Sequence, residues 1–156
     1  MPGFRAWLDR RFAEGARGML TREERGRLAA AIKGEVGWLA GKGDLKRSLA
    51  DDGWASKPEL AAALQAPLTR LCAAYLVEAK RKDGRAADPV AHFHLSNGAR
   101  LERINWRADV SSKGLRESAG IMVNYLYRLT HIEANHEAYA ADGAVAASSS
   151  VRALAK

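Results

Sequence analysis

The sequence predicts an α+β chain, mostly helical with one β-hairpin, and three observations predict it. Apolar residues at helical spacing, punctuated by capping signals, run through residues 2–81. An Asn97-Gly98 dipeptide then separates two runs of strand-compatible sequence. Helical patterning resumes after Ser111.

In the helical part, Pro2 suits a first helical turn, and Phe4, Trp7, Leu8 and Phe12 recur at helical spacing. Thr21-Arg22-Glu23-Glu24 has capping-box form, with Leu28, Ile32, Val36 and Leu39 following along one face. Glycines at Gly34, Gly37, Gly41 and Gly43 weaken that helix toward its end. Asp44 caps a short helix carrying Leu45 and Leu49, which Asp51-Asp52-Gly53 stops. Ser56-Lys57-Pro58-Glu59 reads as a second capping box. Two helices follow it, broken near Pro67, and the second carries Leu68, Leu71, Cys72, Tyr75 and Leu76. It ends in Lys80-Arg81-Lys82, which together with Arg85 reads as a solvated basic helix end.

Beyond the polar turn at 82–85, residues 90–96 and 99–106 flank Asn97-Gly98. A two-residue type I′ loop there sets His94 opposite Leu101, His92 opposite Arg103 and Val90 opposite Asn105. One sheet face then gathers two imidazoles, a guanidinium and an amide, while Phe93, Leu95, Ile104 and Trp106 take the other. Ser111 or Ser112 caps a helix from about Lys113 toward Leu129, with Leu115, Ala119, Met122, Leu126 and Leu129 as its apolar stripe. Asn124 and Tyr127 lie together on another face of that helix, and Gly120 inside it points to close packing or a nearby ligand. Short helices are expected over 131–139 and 144–154. The chain thus divides into a helical part, 1–85, and a part carrying the hairpin and further helices, 86–156, within one domain.

Composition narrows the function classes. With 47% hydrophobic and 28% charged residues the chain is globular and not disordered. No apolar run approaches the ~20 residues that cross a bilayer, and the first residues lack a secretory pattern. One cysteine, Cys72, excludes an internal disulfide and fits a reducing, cytoplasmic setting. Residues 1–85 hold 17 Lys/Arg against 11 Asp/Glu, whereas 86–156 hold 8 against 7, so most of the net +7 sits in the helical part. That balance suits nucleic acid, an acidic membrane or a phosphate-bearing cofactor, or simply a solvated basic surface. No nucleic-acid motif is present.

Several segments, in collinear order, resemble one family. Asp88-Pro89-Val90-Ala91-His92-Phe93-His94-Leu95-Ser96-Asn97-Gly98-Ala99, Arg103-Ile104-Asn105-Trp106, Ala108-Asp109-Val110-Ser111 and Gly120-Ile121-Met122-Val123-Asn124-Tyr125-Leu126-Tyr127 are similar to malonyl-CoA decarboxylases. So are Pro67-Leu68-Thr69-Arg70-Leu71-Cys72, Pro2-Gly3-Phe4 and Trp7-Leu8. The resemblance implies the C-terminal part of a catalytic domain with an acetyltransferase-like (GNAT-like) fold. It implies loss of CO2 from malonyl-CoA to give acetyl-CoA, with no metal or organic cofactor. It implies an oligomerisation domain, and a catalytic serine just upstream of the Pro-Gly-Phe segment, both outside this chain. His94 matches the histidine of the family's Phe-His-Leu motif, and Tyr127 the second tyrosine of its Asn-Tyr-x-Tyr motif. The chain ends Val151-Arg152-Ala153-Leu154-Ala155-Lys156, which is not the Ser-Lys-Leu peroxisomal tail of some family members.

On its own, a strand histidine reads as a structural hydrogen-bonding residue; the resemblance makes His94 catalytic, with Tyr127 steadying it. His92 and His94 on one face could ligate a metal, but no third ligand accompanies them, so no metal is expected. Cys72 on an apolar helix face reads as a small buried residue. Malonyl-CoA is the expected substrate, and neither nucleic acid nor membrane is an expected partner. Full-length members of the family homo-oligomerise. The alternative class is a non-catalytic basic module whose binding to an anionic partner would weaken with salt.

Overall fold

A computed structural model describes residues 1–15, 18–36 and 44–156, with side chains of the second helix described as far as Ile32. The expectations on Leu39, Gly37, Gly41 and Gly43, and on the side chain of Val36, lie outside the described residues. The chain forms two compact units, one of Leu8–Leu68 and one of Met1–Trp7 with Thr69–Lys156. Helices α1 (Phe4–Ala13) and α4 (Pro58–Glu78) each contribute to both.

The Leu8–Leu68 unit follows its local signals. The capping box forms: Glu24 N–H donates to Thr21 Oγ1 at 3.1 Å and Thr21 N–H to Glu24 Oε2 at 2.8 Å, opening α2 (Arg22–Val36). Asp44 caps α3 (Leu45–Ser48) by accepting from Lys46 N–H, and Asp51 caps a short 3-10 helix, Asp52–Ser56, through Gly53 N–H. Leu28, Leu45, Leu49 and Trp54 are buried.

The second capping box does not form as read. The Ser56 hydroxyl donates to Gly53 O, and α4 starts at Pro58, one residue later than a Ser56 cap would set it. Nor does Pro67 break the segment. α4 is one 21-residue helix with Pro67 inside it. An interior proline costs about 3 kcal/mol. Burying Leu64, Leu68, Leu71, Cys72 and Leu76 along one face offsets that cost at about 1.5–3 kcal/mol for each large side chain. The unbroken helix is also long and apolar enough to cross a bilayer by length and composition alone. Because 56% of that stretch is buried, we read it as a core helix.

The other unit carries the sheet, and here the sequence reading needs correction. The two-stranded antiparallel sheet is present, but residues 90–96 are not in it. Pro89–Ser96 is a helix, α5, and β1 (Arg100–Asn105) pairs instead with β2 (Met122–Leu126). The helical signals were local: Asp88 accepts from Val90 and Ala91 N–H, both at 3.0 Å, with Pro89 at the first helical position. Asn97-Gly98 ends the helix rather than turning a hairpin. Gly98, at φ +79°, donates to Leu95 O and Ala99 donates to His94 O, the paired bonds of a Schellman motif.

A Cβ on Gly98 would stand 2.3 Å from Ile132 O and 2.8 Å from its Cγ2, at a φ that disfavours L side chains. Gly98→Ala is therefore expected to destabilise the fold by more than the ~1 kcal/mol usual for a lost glycine cap. A chemical-denaturation midpoint equal to wild type would refute this.

The long helix expected from Lys113 to Leu129 is also corrected. Ser111 caps a short α6 (Ser112–Ser118), which stops at Ala119 (φ +52°) and Gly120 (φ +73°). Gly120 thus marks a helix end, not a helix interior. The apolar stripe misled because Met122 and Leu129 are exposed, whereas Ile121 is fully buried.

β1 opposes Leu101 to Tyr125 and Arg103 to Asn124, with a bulge at Glu102 between them. Its other edge meets residues 146–148, where Ser148 N–H donates to Leu101 O and Leu101 N–H to Ala146 O. Ser148 also caps α8 (Ser149–Leu154). The basic helix end at 80–85 is not wholly solvated. Lys80 Nζ donates to Gly143 O at 2.6 Å, and Arg85 donates to the carbonyls of Tyr139 and Ala140, so both sit on the C-terminus of α7 (Ile132–Asp142).

Candidate active site

The helical conformation of residues 89–96 decides the site. Two residues apart on a helix point about 200° apart, so His92 and His94 face different neighbours and do not share a surface. The polar face of two imidazoles, Arg103 and Asn105 that a hairpin would build is therefore not formed. Asn105 instead lies opposite Met122, and its amide donates to Asn124 Oδ1 across the strand pair. Asn124 and Tyr127 belong to a strand and its exit, not to a helix face.

His92 turns toward α7. The Tyr139 hydroxyl accepts from Ala86 N–H at 2.9 Å, leaving its own proton for His92 Nδ1 at 2.8 Å. The neutral His92 ring then carries its proton on Nε2. Tyr139 is buried, its ring is tilted against His92 at 5.8 Å, and the Arg85 guanidinium lies 5.5 Å over it. This is a structural fastening of α5 to α7.

His94 turns toward β2. Its Nδ1 and the Tyr127 hydroxyl share a hydrogen bond of 2.9 Å, joining the two sequence-predicted catalytic residues across 33 positions. Beneath the imidazole lies Tyr125, ring centroids 4.1 Å apart and planes 15° apart, while Phe93 meets it edge-on at 5.3 Å. Among the described residues, Nε2 of His94 has no hydrogen-bond partner. Cavities of 480 and 140 Å³ elsewhere in this unit are lined by neither His94 nor Tyr127.

Both imidazoles are held below the ordinary histidine range. Burial does so for His94; for His92 burial acts first, then Arg81, with Asp83 opposing and Arg85 adding. The unfolded chain therefore takes up these two protons more readily. Their contribution to stability is complete above the unfolded value of about 6.5 and is lost as pH falls through the lower folded values. Between about pH 7.5 and about pH 5 the melting temperature should drop, and His92→Gln should shrink that drop. An identical drop in the variant would exclude His92 from the account.

Around the site are residues that sequence reasoning did not single out. Asp88, 1% exposed, caps α5 with one oxygen and accepts from the Tyr75 hydroxyl (3.3 Å) and Gly3 N–H (3.4 Å) with the other. Gly3 is needed there, because a Cβ would stand 2.2 Å from Tyr75 Oη. The Pro2-Gly3-Phe4 segment is thus fastened to the start of the helix that carries His94. Asp88-Pro89 was the signal that could have found this cap. Cys72 is fully buried near Met1, with Sγ to Sδ 3.6 Å, and burial pushes its thiol far up, so it is no nucleophile.

The family model described as malonyl-CoA decarboxylase C-terminal domain matches residues 1–156. The mitochondrial malonyl-CoA decarboxylase of Rattus norvegicus is 48% identical over 110 residues, 70% of this chain and 22% of that protein. Its counterpart from Anser anser anser is 38% identical over 144 residues, 89% of this chain and 27% of that protein. Among solved structures, the malonyl-CoA decarboxylase from Rhodopseudomonas palustris is 40% identical with a TM-score of 0.79, covering 98% of this chain and 31% of that one. The enzyme from Agrobacterium vitis is 39% identical with a TM-score of 0.79, covering 99% and 34%. The chain spans about a fifth to a third of the length of these relatives. The chain belongs to the malonyl-CoA decarboxylase family and corresponds to its C-terminal domain.

Proposed function

We propose that this chain supplies the histidine half of a site that decarboxylates malonyl-CoA to acetyl-CoA and CO2. The observation that carries this reading is the His94–Tyr127 hydrogen bond at 2.9 Å, which joins two separate family motifs. In this reaction the bond between the α-carbon and the carboxylate breaks, CO2 leaves, and the electron pair passes into the thioester as an enolate. The α-carbon then takes a proton. A donor must meet the enolate oxygen as charge develops. His94 suits that work: its Nδ1 is engaged by Tyr127, so the neutral ring can present Nε2–H to the oxyanion or pass the proton on.

In the whole protein we place the carboxylate anchor, and much of the coenzyme A site, in the part of the relatives' length that lies outside this chain. There too we place the rest of an acetyltransferase-like (GNAT-like) fold and the surfaces for homo-oligomerisation. Within that domain, the helical 1–85 and the site-bearing 86–156 act as parts of one catalytic body. A reducing compartment suits the single buried cysteine. The cytoplasm is our reading, while the named animal relatives are mitochondrial.

The test is acetyl-CoA formation from malonyl-CoA by the full-length protein carrying this domain, and by this chain alone. Turnover by the full-length protein supports the reading. A folded full-length protein that leaves malonyl-CoA intact would sink it.

A further inference from the structure

We propose that Tyr125 is the positioning residue for His94, its ring setting the plane in which the imidazole is held. The proposal rests on the reading of His94 as the reactive histidine. Two torsions define a histidine side chain, and each helical rotamer leaves the ring plane broadly free. A hydrogen bond at Nδ1 fixes a direction but not the plane around it. The stacked Tyr125 ring, 15° from parallel at 4.1 Å, supplies the missing constraint. The Tyr127 bond and the Tyr125 face together determine where Nε2 points.

Tyr125 is itself well placed to act as a fixed surface. It sits on β2 opposite Leu101, which is fully buried in β1. Burial, and after it the charge of Asp88, keeps its phenol protonated well above the usual tyrosine range. At neutral pH it is an uncharged phenol that meets His94 with its ring face. The arrangement uses extended backbone: Tyr125 on β2 and Tyr127 just past its end, two apart, both meet the imidazole, one beneath it and one at its edge. Burial alone lowers the affinity of His94 for a proton, and the stacked ring covers one whole imidazole face.

The experiment is side-chain NMR of His94 in the purified chain, as wild type, Tyr125→Phe and Tyr125→Leu. Wild type should show ring contacts between His94 and Tyr125 and upfield-shifted imidazole protons. Tyr125→Phe, which keeps the face, should preserve both. Tyr125→Leu should lose them and move the His94 titration up toward about 6.5, while the Tyr127 bond keeps the tautomer. Absence of His94–Tyr125 contacts in the wild type would overturn the proposal, whether or not the leucine variant folds. So would a folded Tyr125→Leu chain whose His94 titration matches wild type. None of these readouts needs turnover. In the full-length enzyme, Tyr125→Leu should lower kcat roughly ten- to a hundredfold at steady KM, with Tyr125→Phe near wild type. An unchanged kcat beside a moved titration would uphold the positioning and refute the catalytic role of His94.

Discussion

Replacing His94 by alanine is expected to lower malonyl-CoA decarboxylation by the full-length protein roughly 10²–10⁴-fold while leaving the fold in place. The magnitude is that of a positioned side chain handling a proton or meeting a developing oxyanion. The fold should survive because the imidazole is only half buried and its hydrogen-bond partner Tyr127 is exposed. The helix end does not depend on the side chain either, since Ala99 N–H donates to the His94 carbonyl. Alanine is also a good helix former. Paired measurements of acetyl-CoA formation and melting temperature check this. Retained activity in a folded variant would end the catalytic reading, and lost folding would recast His94 as structural.

Asp88→Ala should show the reverse pattern, a large loss of stability before any question of chemistry. The carboxylate caps α5 through two backbone N–H groups, a cap worth about 0.5–2 kcal/mol. Its second oxygen serves the buried Tyr75 hydroxyl, and removing a charged acceptor there costs about 1.5–3 kcal/mol more. Together, about 2–5 kcal/mol corresponds to a fall in melting temperature of roughly 4–20 °C. Asp88→Asn, an equally good cap residue, should recover much of it. If alanine melts within a degree or so of wild type, Asp88 is not the fastening that the geometry suggests.

These two residues also mark how far the sequence could be read. Elements closed by residues two to four apart were legible: the Thr21–Glu24 box and the Asp44 cap form as expected, and the first helix forms from Phe4, with Pro2 in the turn before it. His94 and Tyr127 could be singled out through their motifs, but the hydrogen bond that joins them could not. Asn97-Gly98 satisfies a hairpin turn and a Schellman end equally well, because both need a left-handed glycine. What separated them was Asp88-Pro89 eight or nine residues earlier, a helix start that outweighs the β-compatible run between. Leu115, Ala119, Met122 and Leu126 fit a helical stripe, yet the left-handed Ala119-Gly120 pair ends the helix and returns the chain as a strand. Pairing of 100–105 with 122–126 is non-local, and no spacing rule within one segment reports it. Tyr125 was invisible for that reason: only in a strand does it share a side with Tyr127.

Met1–Trp7 belongs to the unit formed by Thr69–Lys156, with the whole of Leu8–Leu68 made in between. Phe4 packs against Tyr75, and Gly3 donates to Asp88. As the chain leaves the ribosome, Met1–Trp7 must therefore wait for partners that are synthesised much later. Closing so long a loop carries an entropic penalty that grows only slowly with its length, but the order of events is fixed. The helix that carries His94 can be capped by Asp88 as soon as it emerges, whereas its tie to Gly3 forms by capture of a segment already waiting. Folding of this unit should accordingly be limited by a long-range encounter, and a variant lacking residues 1–7 should lose that late step.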